Sequence, residues 1–130
     1  MIQRIQSIYL LLVGISAGLM LFLPVAVSNG GMISGLGYTP FAVLCGWLVV
    51  HSIGSIFQFK NRKLQMRLVW ALLIISALGL ALPFLAPMFI GAQAHWLAYI
   101  APIVWVLLSY LAWRGIHNDD QLVKSMDRLR

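Results

Sequence analysis

Charge is what this sequence has least of. No Asp, Glu, Lys or Arg stands between Ile5 and Phe59 or between Leu68 and Trp113, and charged residues make up only 9% of the chain. That scarcity excludes a water-soluble domain, because 130 residues present too much surface to cover with so few charges. Acids are rarer still: Asp119, Asp120 and Asp127 all stand close to the C-terminus. Proton-coupled transport, acid–base catalysis and cation rings use ionisable groups held within the membrane, so apolar stretches without a carboxylate argue against an ion-coupled pump.

Cys45 is the only cysteine. A lone thiol forms no internal disulfide, and in an apolar stretch it reads as a small hydrophobe. A haem needs axial ligands at one depth, and a metal site needs clustered ligands. His51 falls inside an apolar stretch, His95 at its outer mouth and His117 in the C-terminal tail. No metal, haem or other cofactor is expected from that spread, and no enzymatic activity.

What the chain has in abundance is apolar length. Hydrophobic residues make up 62% and the mean hydropathy is +0.92, the composition of an integral membrane protein. A spanning helix needs roughly 20 apolar residues to cross about 30 Å of hydrocarbon. Four segments meet that length within a single domain, residues 1–130: 5–27, 41–59, 68–90 and 96–113. Ser28-Asn29-Gly30-Gly31 closes the first, and Pro40 suits the first turn of the second. Ala26-Val27-Ser28 resembles a signal-peptide cleavage site, but the apolar run exceeds a typical h-region and only Arg4 precedes it, so a retained helix is expected. The fold expected is an all-α, four-helix membrane bundle.

Basic residues fall on one side of that arrangement. Lys60, Arg62, Lys63 and Arg67 form an island between uncharged stretches, and four spans place it with Arg4 and the tail 114–130. The opposite connections, 28–40 and 92–95, carry no charge. This is the positive-inside pattern, so both termini and the basic island are expected on the cytoplasmic side. Tyr38, Trp96 and Tyr99 mark the outer interface, Tyr9, Trp70, Tyr110 and Trp113 the inner one, and Trp47 and Trp105 are expected to pack between helices. Topology alone explains the island. A contact with anionic lipid headgroups by Lys60, Arg62, Lys63 and Arg67 is the functional alternative, whereas nucleic acid is not an expected partner, since Asn61 and Gln65 are a thin supply of base readers.

His51 lies about 12 Å from the inner boundary at helical rise. An ionisable group at that depth is a functional candidate, but a hydrogen-bonded neutral imidazole is the plainer reading, with Ser76 at matching depth as the expected partner. Gly14 and Gly18 form a GxxxG pair, and Ala42, Gly46 and Gly54 extend a small-residue face on the second span. Such faces let helices approach closely, within the chain or against a partner. In the tail, Asn118 or Asp119 can cap a short amphipathic helix in which Leu122, Val123, Met126 and Leu129 share a face. Pro24, Pro83, Pro87 and Pro102 gather in the outer half. Kinks there predict a third helix bent near Pro83 and a crevice open to the outer face near Pro83, Pro102 and Trp96.

The opening Met-Ile-Gln-Arg-Ile-Gln-Ser-Ile-Tyr-Leu-Leu-Leu, the charged loop from Lys60 to Gln65 and the closing Leu-Val-Lys-Ser-Met-Asp-Arg-Leu-Arg resemble small four-helix membrane proteins of the Bacteroidota, classed as a domain of unknown function. The resemblance implies four spans and an inner membrane, and supplies no catalytic residue. The expected role is that of a non-enzymatic protein acting through helix or tail contacts, as a homo-oligomer or an accessory subunit of a larger membrane complex. The alternative is a small dimeric transporter for a neutral or hydrophobic compound. Small multidrug exporters carry a glutamate in the first span, where this chain has Gly14, Ser16 and Gly18.

Overall fold

The computed structural model describes residues 2–130, with side chains from Ile5 onward; the Arg4 side chain lies outside the described part. The chain is mostly helical: α1 Ile2–Met20, α2 Thr39–Phe57, α3 Arg62–Gly79, α4 Leu82–Ile90 and α5 Trp96–Arg128. Three short strands, β1 Pro24–Ser28, β2 Gly31–Ser34 and β3 Gln93–Ala94, complete it.

The four longer helices share one rhythm of burial. On α1 the buried positions include Gln6, Leu10, Val13, Ala17 and Met20; on α2 they are Phe41, Cys45, Leu48, Ser52 and Ser55. Gln65, Val69, Leu72, Ser76 and Gly79 repeat it on α3, and Ala98, Pro102, Trp105, Ser109, Ala112 and Ile116 on α5. Alternating steps of four and three average 3.5 residues, the period at which helices pack side by side at shallow angles. Accordingly, α1 packs on α2 and α5, and α3 packs on the same two. Gln6 meets Asp119 and Gln65 meets Ser55, so the start of α1, the basic stretch from Lys60 to Arg67, which is helical from Arg62 rather than a loop, and the second half of α5 lie together. We call this the basic end.

The other end is closed by a sheet of order β2-β1-β3. Here the first helix departs from expectation, stopping at Met20 instead of running to Val27. Pro24 lacks an N–H and in a continued helix its ring would clash with the Met20 carbonyl, and a residue before proline, here Leu23, disfavours helical backbone. The chain then turns at Asn29-Gly30 and pairs Val27 with Met32 and Ser28 with Gly31. Asn-Gly suits a two-residue hairpin turn, and Gly31 has φ +128, a value that disfavours a side chain. Gly35 N and Leu36 N donate to Leu23 O and Leu21 O, occupying carbonyls beyond the end of α1. A side chain at Gly35 would strike the Met20 carbonyl, so the close approach depends on glycine. The expected 92–95 connection contains β3, which pairs Ala26 with Ala94.

Beyond Gly79 the third helix breaks, and α4 leaves it at 54°. Pro83 sits in the first turn of α4, so the bend falls where its missing N–H predicts, as a break at Leu80-Ala81 rather than a continuous kink. The tail also differs from expectation. It is no separate amphipathic helix but the continuation of α5, which runs for 33 residues. No proline interrupts it after Pro102, and Asp119 bonds to Gln6 instead of capping a new helix. Two helices, Thr39–Lys60 with its closing 3-10 turn and Trp96–Arg128, are long and apolar enough to cross a membrane, and α3 with α4 makes a third if the bent pair is one span. Ile5–Met20 is apolar but shorter.

Candidate functional site

His51, the ionisable residue inside an apolar helix, is half-buried on α2. Its Nε2 lies 3.1 Å from the Leu68 carbonyl oxygen on α3, and its ring stacks on Trp47 at 5.9 Å. A carbonyl only accepts, so Nε2 carries the hydrogen in this contact. Ser76 is not the partner expected: its Oγ donates to Leu72 O, 2.8 Å away within its own helix. Leu68 wins because it stands in the second turn of α3, beside the loop that ends α2, where the two helices face each other. Trp47, expected between helices, is 55% exposed and covers His51 from outside.

The middle of the molecule is occupied by rings. Trp105 is fully buried, donates from Nε1 to Ser16 Oγ at 3.0 Å and packs on Phe41 at 6.0 Å. Phe41 stacks in turn on Tyr38 at 6.4 Å, and the Tyr38 hydroxyl donates to Leu82 O at 3.0 Å. These contacts overturn the expected crevice. Pro83 and Pro102 are fully buried, and Gly79 lies against Pro102. The helix bend leaves Leu82 bonded to Tyr38, and Tyr38, Phe41 and Trp105 pack one on the next behind it.

Close approach of helices is real at one of the expected faces. A methyl group at Gly14 would collide with Ser52 Oγ of α2, and one at Gly18 would touch Val49. Ala42 is half-buried, but a methyl group at Gly46 or Gly54 would meet nothing within 4 Å. Those two glycines face outward, because Ser52 and Ser55, not the glycine spacing, mark the inner face of α2. Cys45 is buried on that inner face.

At the basic end, buried amides tie the helices together. Gln6 Nε2 donates to Asp119 Oδ2 at 2.9 Å, and Gln65 Nε2 to Ser55 O at 3.3 Å. A side chain at Gly115 would strike Gln6, so α5 comes close to α1 here. Gln6 and Gln65 escape a reading based on charge; their signal is an amide flanked by apolar residues one turn away on the same face. Lys60, Lys63 and Arg67 are exposed and Arg62 is half-buried. Asn61 caps α3, accepting from Leu64 N at 3.2 Å. On α5, Lys124 pairs with Asp120 and, through that hydrogen bond first, holds its carboxyl below the usual range. Trp113 stands against Trp70 at 5.9 Å and stacks on His117 at 5.2 Å. Among the described residues, no three His, Cys, Asp or Glu side chains come together.

Comparison with known proteins adds the family. No curated protein and no solved structure matches the chain. A family model described as Domain of unknown function (DUF4293) matches residues 2–129, and the chain belongs to that family.

Proposed function

We propose that this protein is an inner-membrane protein crossing four times, with both termini in the cytoplasm, that acts through contacts as an oligomer or an accessory subunit. The crossings are α1, α2, the bent α3–α4 pair and α5. The apolar part of α1, Ile5–Met20, reaches about 24 Å, and the apolar Leu21-Phe22-Leu23 that follow extend the run toward the roughly 30 Å of hydrocarbon. The sheet then belongs at the outer interface, since open strand edges are not tolerated within hydrocarbon. The basic end belongs inside by the distribution of Lys and Arg.

The observation that carries the contact reading is where polar groups have gone. Trp105 and Ser16, Gln6 and Asp119, Gln65 and the Ser55 carbonyl hold the helices to one another. The outer face of α2, by contrast, offers Val43, Trp47 and Val50 at 55–73% exposure beside the bare backbone of Gly46 and Gly54. Small residues among apolar ones are what helix–helix association in lipid uses. The transporter alternative loses its main support with the crevice. Native-mass measurement of the tagged full chain from mild detergent tests the reading: an oligomer or a co-purifying membrane subunit supports it, and a lone monomer across mild detergents overturns it.

A further inference from the structure

A groove of about 580 Å³ runs between α3 and α5 at the basic end. Lys63 and Arg67 of α3 and Lys124 of α5 stand at its rim, and Trp70, Ala71 and Ile74 continue along α3 as its floor. Positions 63, 67, 70 and 74 form one stripe of a helix, so cation and apolar surface are in line along the helix axis. Trp70 and Ile74 are about half exposed, which leaves the floor open to whatever surrounds α3.

Two of the three charges at the rim lack compensation. Asp120 is committed to Lys124, and among the described residues neither Lys63 nor Arg67 has an acidic group within 4.0 Å. Lys63 stands in the first turn of α3 and Arg67 in the second, and the first turn holds no acidic residue, so positive side chains sit on the positive end of the helix dipole. An anion is the ligand that relieves both.

We propose that this groove seats the headgroup phosphate of an anionic phospholipid between Lys63, Arg67 and Lys124, with an acyl chain along Trp70, Ala71 and Ile74. The inference rests on the reading that α3 crosses the membrane with its basic end at the inner leaflet. It selects among the cations of the basic stretch: Lys63 and Arg67 bind, Lys60 does not, and Lys124 of α5, far along the chain, completes the site. A soluble phosphate would use the rim alone. The apolar floor below the cations is what a lipid needs and a free anion does not.

The test uses the full chain in mild detergent, titrated with phosphatidylglycerol or phosphatidylethanolamine and read as bound lipid by native mass spectrometry. Retention of phosphatidylglycerol over phosphatidylethanolamine is expected. At roughly fivefold for each cation near a phosphate, Lys63→Gln/Arg67→Gln should bind phosphatidylglycerol about 25-fold more weakly, while Lys60→Gln/Arg114→Gln, with the same charge loss, should stay within about threefold of the parent. Ala71→Phe fills the floor and keeps every cation, and should also lose the lipid. Equal losses in the two double variants would mean diffuse charge and overturn the site, as would displacement by millimolar inorganic phosphate or unchanged binding by Ala71→Phe. If Ala71→Phe does not fold, the comparison of the two exposed double variants decides alone. Failure of the membrane reading is seen separately, as release of the chain from membranes by carbonate without detergent.

Discussion

Trp105 of α5 donates its indole N–H to Ser16 Oγ of α1, joining residues 89 apart in sequence across 3.0 Å. The same hydroxyl lies 2.7 Å from Leu12 O and 3.1 Å from Val13 O, so it donates its one hydrogen to its own helix and accepts from the tryptophan. Ser16→Ala removes the acceptor and strands a buried N–H. A loss of about 1 kcal/mol is expected, since hydrogen bonds between helices in lipid are each worth about 0.6 to 2 kcal/mol. Unfolding of Ser16→Ala, Trp105→Phe and the double variant in detergent checks it. The double should cost less than the sum of the singles, and strict additivity would show that the bond is not a unit.

The glycines separate by what their missing side chains would meet. Gly14→Ala drives a methyl group into Ser52 Oγ, which is itself bonded to Val49 O at 3.0 Å and buried. That variant should lower the melting temperature in detergent. Gly54→Ala meets nothing within 4 Å and should leave monomer stability unchanged or raise it by up to about 1 kcal/mol through helix propensity. If Gly54→Ala instead changes the oligomeric state with melting unaffected, the outer face of α2 is a subunit contact.

The long apolar helices α2 and α5 and the ends that meet were legible because charge is confined to a few segments. The inner faces were harder to read. Ile8, Leu11, Ile15 and Leu19 are 50–58% exposed, yet they are as apolar as the buried Leu10 and Val13. An exterior built for lipid erases the contrast on which hydropathy periodicity depends. The inner face is marked instead by small and polar residues, Gln6, Ser52, Ser55, Gln65, Ser76 and Ser109, which are all buried. Glycine spacing alone misplaces Gly46 and Gly54, because a step of eight does not follow the 3.5-residue seam. Hydropathy likewise carries the first helix through to Val27, although Asn29-Gly30 between apolar runs is a hairpin signal that fixes β1 and β2.

Asp120 gives a pH dependence with a defined sign. Its carboxyl titrates below the usual range because Lys124 hydrogen-bonds to it. A lowered folded value means that the contribution of the pair is present above the unfolded value near ~3.9 and is lost as pH falls through the folded one. The order of the last turns of α5 should therefore be flat from pH 8 to pH 5 and weaken only below about pH 4. Amide exchange of residues 120–128 should follow that course, and Asp120→Asn should show no such dependence while being uniformly less ordered. A midpoint near neutral pH would assign the change to another group.

The side of the membrane on which each end lies can be read with the chain's own cysteine as a silent background. Cys45 is buried at 0% exposure on the inner face of α2, so an impermeant maleimide should leave the parent protein unlabelled until it is denatured. Asn61→Cys places a thiol at the basic end between Lys60 and Arg62, and Gly30→Cys places one at the tip of the β1–β2 hairpin, where nothing lies within 4 Å of the added carbon. In intact cells Gly30→Cys should react and Asn61→Cys should not; in inverted membrane vesicles the two should exchange. Four crossings and a positive inner side require both results together. Labelling of Asn61→Cys from outside would reverse the orientation, and labelling of both positions from one side would mean that α2 does not cross, which would remove the contact reading in lipid and the lipid groove with it.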